Sequence, residues 1–88
     1  MPYIVPERRQ KFDKHIRALF EELEINKFHP GDINYCFSQI IWGIFFLDSS
    51  YNTANELLGI LEAVKLEFYR RRVAVLEDSK IKSNGDLQ

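Results

Sequence analysis

Three consecutive arginines stand between aromatic and aliphatic residues in the stretch FYRRRVAVLEDSK, from Phe68 to Lys80. A guanidinium group binds carboxylates and phosphates through paired hydrogen bonds, and an arginine beside a tyrosine can hold both the anion and the ring of a ligand. Small ligands often bind where subunits meet, so we place this candidate site at such a junction. The residues that we expect to line it are Tyr69, Arg70, Arg71, Arg72, Lys65 and Asn34.

The same arginines also have a structural interpretation. Glu67 is within helical reach of Arg70 at i+3 and of Arg71 at i+4. The first helix ends in the acidic segment 21–24, and the third helix has its arginines late. If these two helices lie parallel, the basic end of each is beside the acidic end of the other. We therefore expect the arginines to serve the fold first, by pairing with carboxylates.

Few residues offer enzyme chemistry. Cys36, His15 and His29 form no local cluster with the spacing of a metal site. Cys36 falls within an apolar stripe, which is typical of a small buried hydrophobe. No glycine-rich phosphate motif is present. We predict no catalytic residue, no metal, no cofactor and no enzymatic activity.

Length and composition indicate one small domain, residues 1–88, with 45% hydrophobic residues and 28% charged residues. The net charge of −1 disfavours nucleic acid and anionic membranes as partners. The longest apolar run, Ile40–Leu47, is far short of the ~20 residues that a membrane span needs. One cysteine fits a reducing compartment, and the N-terminus has no apolar signal-peptide core. We expect a soluble, cytoplasmic protein.

Apolar residues at helical spacing predict three helices, at about 6–27, 32–47 and 53–82. Pro6 suits a first turn, and His29-Pro30-Gly31 should end the first helix. Asp32 is the expected N-cap of the second helix, and Thr53 with Glu56 has the form of a capping box for the third. The predicted fold is all-α: a three-helix up-down-up bundle with a long third helix.

Two of the helices carry more apolar surface than one neighbour can cover. The second helix has an apolar stripe from Ile33 to Ile44 and further large apolar residues outside it, and the third helix gains a second stripe from Leu66 onward. An 88-residue chain has few elements to cover both, so we expect a homo-oligomer. Its candidate interface residues are Trp42, Phe45, Phe46, Leu66, Val73 and Leu76.

The segments MPYIVPERR at the start, GDINY at Gly31–Tyr35 and NELLGILEAVKLEFYRRRVAVLEDSKIKSNGD at Asn55–Asp86 resemble a family of small uncharacterised proteins from bacteriophages and bacteria. The similarity covers nearly the whole chain. It implies an all-helical accessory protein of phage-like origin and no defined chemistry. The family often has a proline where this chain has Val75, so its absence here favours a continuous third helix.

Small phage accessory proteins commonly inhibit a host protein or bind a host signalling molecule, and the resemblance implies a function of this class. We expect a non-enzymatic, counter-defence type of protein in the host-cell cytoplasm. It would act as a homo-oligomer, with a host protein or a nucleotide-type ligand as its partner. The alternatives are a small nucleic-acid-binding regulator, with the arginines on phosphates, and a structural or assembly protein.

Overall fold

The computed structural model describes residues 3–87, and these residues form helices and no strand. The all-α prediction is therefore confirmed. The elements are α1 (Pro6–Ile25), α2 (Pro30–Leu47), α3 (Tyr51–Phe68), a π-helical segment (Tyr69–Val73) and α4 (Ala74–Asn84). The last three follow one another without a break and make the third of three helical stretches.

The chain divides into two compact units, Met1–Ala54 and Asn55–Gln88. The first unit contains α1, α2 and the start of α3. The second contains the rest of α3, the π-helical segment and α4. The up-down-up bundle, in which α1 would lie parallel to the third helical stretch, stays a prediction.

The turn between α1 and α2 is held by the C-cap residue Asn26 and by a ring contact between Phe20 and Phe28. Asn26 donates a hydrogen bond from Nδ2 to the carbonyl oxygen of Glu22 at 2.8 Å, and this carbonyl also accepts the backbone N–H of Asn26 at 3.3 Å. Lys27 and Phe28 then take left-handed backbone conformations, with φ of 63° and 53°. This direction brings the ring of Phe28 back to 5.3 Å, centroid to centroid, from the ring of Phe20.

The helix α2 begins two residues before the position predicted from sequence. His29, rather than Asp32, is the N-cap, and its Nδ1 accepts a hydrogen bond from the backbone N–H of Gly31 at 3.1 Å. Pro30 occupies the first helical position, where its fixed φ is favourable and its missing N–H costs nothing. The His29-Pro30-Gly31 sequence therefore both breaks α1 and starts α2.

The helix α3 also begins earlier than its predicted capping box. Ser50 accepts a hydrogen bond from the backbone N–H of Thr53 through its Oγ at 3.2 Å, so Ser50 has the role of N-cap. Thr53 lies inside the helix and donates from its own hydroxyl to Asp48 Oδ2 at 2.8 Å. The predicted box of Thr53 and Glu56 is wrong, because a better-placed serine stands three residues upstream.

Little of the apolar surface is buried. Among residues 3–87, the one buried hydrophobic side chain is Leu57, which is 7% exposed. No described side chain of α1 or α2 is buried. Most of the stability of a protein helix comes from packing of its apolar face rather than from intrinsic propensity. The apolar faces of these helices therefore need cover beyond that seen within either unit.

The Ser50 cap leads to the first prediction. Ser50→Ala leaves the Thr53 N–H without its side-chain acceptor and should lower the free energy of unfolding by about 1 kcal/mol. The matched control is Glu56→Ala, which removes the glutamate of the rejected capping box and should cause no loss. Urea unfolding at a fixed protein concentration measures both. A loss with Glu56→Ala and none with Ser50→Ala would contradict the assignment.

Candidate binding surface

The three arginines Arg70–Arg72 lie in the π-helical segment Tyr69–Val73. We call these three residues the arginine turn. The backbone N–H of Ala74 bonds to the carbonyl oxygen of Tyr69, five residues earlier, as in a π-helix. π-Helical turns are rare in proteins, and those that do occur are often found at functional sites. No glycine or proline stands in this segment, so composition gave no sign of it.

The π-helical segment changes which side chains share a face. One extra residue in the turn rotates everything after it by about 100° relative to a straight α-helix. In a straight α-helix Val75 would lie on the face of Phe68; with the extra residue Val75 is turned away from that face, and Leu76 takes its direction. Leu76 therefore leaves the stripe that begins at Leu66, so these two predicted interface residues lie on different faces of the helical stretch.

The same rotation brings together Tyr69 and Glu77. In a straight α-helix, residue i+8 lies roughly 80° around from residue i, whereas the extra residue reduces that angle to roughly 20°. Tyr69 donates a hydrogen bond from its hydroxyl to Glu77 Oε1 at 2.6 Å. This bond, which spans the π-helical segment, was not predicted because an α-helical register does not allow it.

Glu77 also changes the acidity of Tyr69. The hydrogen bond to the Glu77 carboxylate, followed by the negative charge of that carboxylate, raises the pKa of Tyr69 above its ordinary value of 10.0. Desolvation and the charge of Asp78 act in the same direction with smaller effect. The phenol therefore stays protonated and remains a hydrogen-bond donor throughout the physiological range.

The basic side chains near Tyr69 are partly engaged within their own helix. Arg70 pairs with Glu67 at i+3, as the sequence predicts. Lys65 pairs with Glu62 over 3.5 Å, and both of these side chains are more than half exposed. Arg71 also has an interaction within the chain, and Arg72 is exposed. An exposed ion pair such as Lys65–Glu62 contributes about 0–1 kcal/mol, so an anionic ligand could displace it at little cost.

Asn34, the remaining predicted ligand residue, lies on α2 in the first structural unit. Its Oδ1 accepts a hydrogen bond from the hydroxyl of Ser38, one turn further along the helix, at 3.2 Å. The other five candidates, from Lys65 to Arg72, lie on the second unit. The arginine turn and Tyr69 are thus the compact part of the predicted site.

The predicted interface residues are mostly exposed. On α2, Trp42 and Phe46 are 56% and 74% exposed, and Phe45 is half-buried. In the second unit, Leu66 and Leu76 are each 57% exposed, and Val73 is half-buried. Aromatic residues supply much of the binding energy in protein interfaces, so exposed Trp42 and Phe46 are typical of an interface that lacks its partner.

Sequence reasoning missed that Trp42 and Phe46 belong to a longer row. Tyr35, which is 60% exposed, and Gln39 lie on the same side of α2. The four positions are spaced by four, three and four residues, which is the spacing of a coiled-coil seam. We call Tyr35, Gln39, Trp42 and Phe46 the aromatic seam. The spacing was available in the sequence, but it was hidden by the more numerous apolar residues on the other side of α2.

Two open grooves lie away from the candidate ligand residues, and one of them includes the candidate interface residue Leu76. One, of about 440 Å³, runs along a single face of α1 between Gln10 and Glu21. The other, of about 400 Å³, lies between α4 and the end of the chain and includes Glu77 and Leu87. Neither is lined by Tyr69 or by the arginine turn. Their walls come from one helix or from a helix and its own tail, so both are surface features rather than closed pockets.

Metal-binding groups and membrane-spanning helices were also sought among the described residues. Within residues 3–87, no group of three or more His, Cys, Asp or Glu side chains is placed to hold a metal ion. In the same part of the chain, no helix combines the length and the apolar character that crossing a membrane requires.

These features define a small all-α protein whose apolar and aromatic side chains are largely exposed. Residues 1–87 match the family model described as a domain of unknown function, DUF6899. Because this match spans nearly the whole chain, the protein belongs to that family, in agreement with the resemblance to an uncharacterised family. No curated protein and no solved structure matches the chain.

The Tyr69–Glu77 hydrogen bond leads to the second prediction. Glu77→Gln removes the negative charge of the acceptor and should lower the pKa of Tyr69 toward its ordinary value. The measurement is a spectrophotometric titration of the chain's four tyrosines, in which Tyr69→Phe identifies the component that belongs to Tyr69. Because the folded pKa is raised, the stability from this bond is present below the ordinary value and is lost as pH rises through the folded value. Identical titrations of Glu77→Gln and the unmodified chain would contradict the assignment.

Proposed function

We propose that this protein is a non-enzymatic, phage-like accessory protein that works as a homo-oligomer and binds a host component in the host-cell cytoplasm. The observation that carries the proposal is the exposure of large apolar side chains on all three helical stretches. Exposed apolar side chains that share one face of a helix, as Trp42 and Phe46 do on α2, are typical of a protein–protein interaction site. We therefore favour inhibition of a host protein as the activity.

The helix α2 gives the strongest support for an oligomer. From Ile33 to Leu47 it contains no charged residue, and large apolar side chains stand on opposite sides of it. A helix that is apolar nearly all round is buried on several sides in a soluble protein. One short chain supplies few neighbours, so further copies of the chain are the simplest source of cover.

The charge pattern supports a bundle within each subunit. The start of α1 is basic and its end, 21–24, is acidic, which opposes its helix dipole, whereas the third helical stretch has Glu56 early and the arginine turn late. With these stretches parallel, each basic region would lie beside an acidic one. An up-down-up bundle of this kind would leave other faces of α2 and α3 available to the oligomer.

A second form of the function is favoured by the arginine turn. Three arginines beside a tyrosine are suited to a ligand that carries both phosphate and a ring, and so to sequestration of a nucleotide-type signalling molecule. The exposed guanidinium of Arg72 and the hydroxyl of Tyr69 are the groups that we expect to meet the ligand first. A subunit junction would supply the walls that one helix lacks.

A nucleic-acid-binding regulator is the contrasting possibility. It would use the same arginines and Lys80 on backbone phosphates. The net charge of −1 and the single basic turn make a small footprint for that role. Steep salt dependence of DNA binding would support this alternative over our proposal, whereas no binding at low salt would eliminate it.

Native mass spectrometry gives the third prediction and the main test of the proposal. We expect the protein, purified from cells that carry active phage-defence systems, to be an oligomer of identical subunits. Co-purification of a stoichiometric host protein would support inhibition, and an added mass in the nucleotide range would support sequestration. A monomer at micromolar concentration with neither addition would contradict the proposal.

The fourth prediction separates the two forms of the function. If a nucleotide-type ligand is bound, Arg72→Gln should weaken its binding by roughly tenfold to a hundredfold, since a charge-assisted hydrogen bond contributes about 1.5–3 kcal/mol. Lys82→Gln, which removes an exposed cation from α4, is the matched control. Equal affinity of the two variants for the extracted ligand would exclude the arginine turn as its site.

A further inference from the structure

The aromatic seam of α2 is complementary to itself. Its four positions are symmetric about the midpoint between residues 40 and 41, with Tyr35 and Phe46 at the ends and Gln39 and Trp42 at the centre. All four side chains are exposed and lie on one side of the helix. When a second α2 runs in the opposite direction, each of the four positions therefore faces its symmetry-related position on the second helix.

We propose that the aromatic seam packs against the aromatic seam of a second copy of this chain, antiparallel and around a two-fold axis. Tyr35 then faces Phe46 of the second copy, and Gln39 faces Trp42 of the second copy. The proposal rests on the homo-oligomer proposed above and names the helix, the face and the direction of one of its contacts.

Hydrogen bonding at the centre favours this register. The indole N–H of tryptophan is a donor only, and a buried one needs an acceptor. The side-chain amide of Gln39 supplies that acceptor, and the two-fold axis makes the bond twice. A polar residue at a single seam position is also a known means of fixing the register of paired helices. At each end of the seam, Tyr35 of one copy and Phe46 of the other bring two aromatic rings together, which adds favourable ring contacts.

Electrostatics favours the antiparallel direction. Asp32 is the only charged residue of α2, and it stands at the start of the helix. A parallel pair would put two Asp32 carboxylates side by side, whereas the antiparallel register separates them by about 25 Å, beyond a Debye length at physiological salt. The dipoles of two antiparallel helices also oppose each other, which is favourable.

The chemistry of the seam favours a second copy over a foreign protein. The segment Ile33–Leu47 carries no charge, so it has no group that could recognise a charged surface on a foreign protein. Interfaces between identical subunits are more apolar than those of transient complexes, and obligate ones resemble a divided domain core. Roughly 160° around the helix there is a separate apolar row, which is left for other packing: Ile33, Phe37, Ile40 and Ile44.

Disulfide crosslinking tests the direction and the register. In a Cys36→Ser background, Tyr35→Cys and Phe46→Cys are combined in one chain. Within one helix these positions are about 16 Å apart, far beyond the ~7 Å limit between Cα atoms for a disulfide, so any bond formed by the pair joins two chains. The antiparallel register predicts a covalent dimer from the double variant and almost none from either single variant, with helix content by circular dichroism as the check on folding.

The other outcomes contradict the inference in different ways. Efficient crosslinking of the single variants would indicate a parallel pair. A folded oligomer in which the double variant does not crosslink would mean that another surface makes the oligomer, which overturns this inference and leaves the proposed function standing. A monomer of the unmodified chain would overturn both.

Trp42 provides a second readout without any substitution, since it is the only tryptophan of the chain. When the oligomer dissociates on dilution, its fluorescence emission should move to longer wavelength as the indole becomes exposed to water. Emission that stays constant through dissociation, monitored in parallel by sedimentation, would show that Trp42 is outside the interface and would overturn the inference.

Discussion

A helix that carries no charge from Ile33 to its end at Leu47 must be covered, and α2 is the element that imposes this requirement on the rest of the protein. Between Ile33 and Leu47 its side chains offer water only a few uncharged polar groups, while its apolar residues stand on two opposite sides. Single exposed apolar residues are normal on soluble proteins, whereas a helix whose surface is almost entirely apolar is not normally left exposed to water. Cover for α2 is therefore the requirement that any packing of this protein has to meet.

The second unit shows how a change in helical register can decide which residues act together. One extra residue in the segment Tyr69–Val73 rotates α4, aligns Tyr69 with Glu77 and separates Leu66 from Leu76. It also gathers the three arginines into the one turn whose geometry differs from the rest of the helix. The Tyr69–Glu77 hydrogen bond across this turn favours the observed register locally.

The sequence allowed the helices to be predicted because their apolar residues recur at helical spacing over 18 to 20 residues. The helix starts were harder to predict, because several suitable residues compete at each one. Ser50 caps α3 where Thr53 also had the correct form, and His29 caps α2 where Asp32 did. The π-helical segment could not be predicted, since its composition is that of an ordinary helix. The pairing of Arg70 with Glu67 followed from spacing, whereas that of Tyr69 with Glu77 depends on the altered register.

The turn between α1 and α2 has a consequence for whether one chain could exchange a helix with another. Two successive left-handed residues without glycine, Lys27 and Phe28, cost free energy that a straightened turn would release. Short strained hinges of this kind are where proteins swap a helix with a neighbour. Here Pro30 prevents the turn from straightening into one continuous helix, because its ring would clash with the carbonyl of Asn26. An exchange in which α1 and α2 merge into a single long helix is therefore closed to this chain.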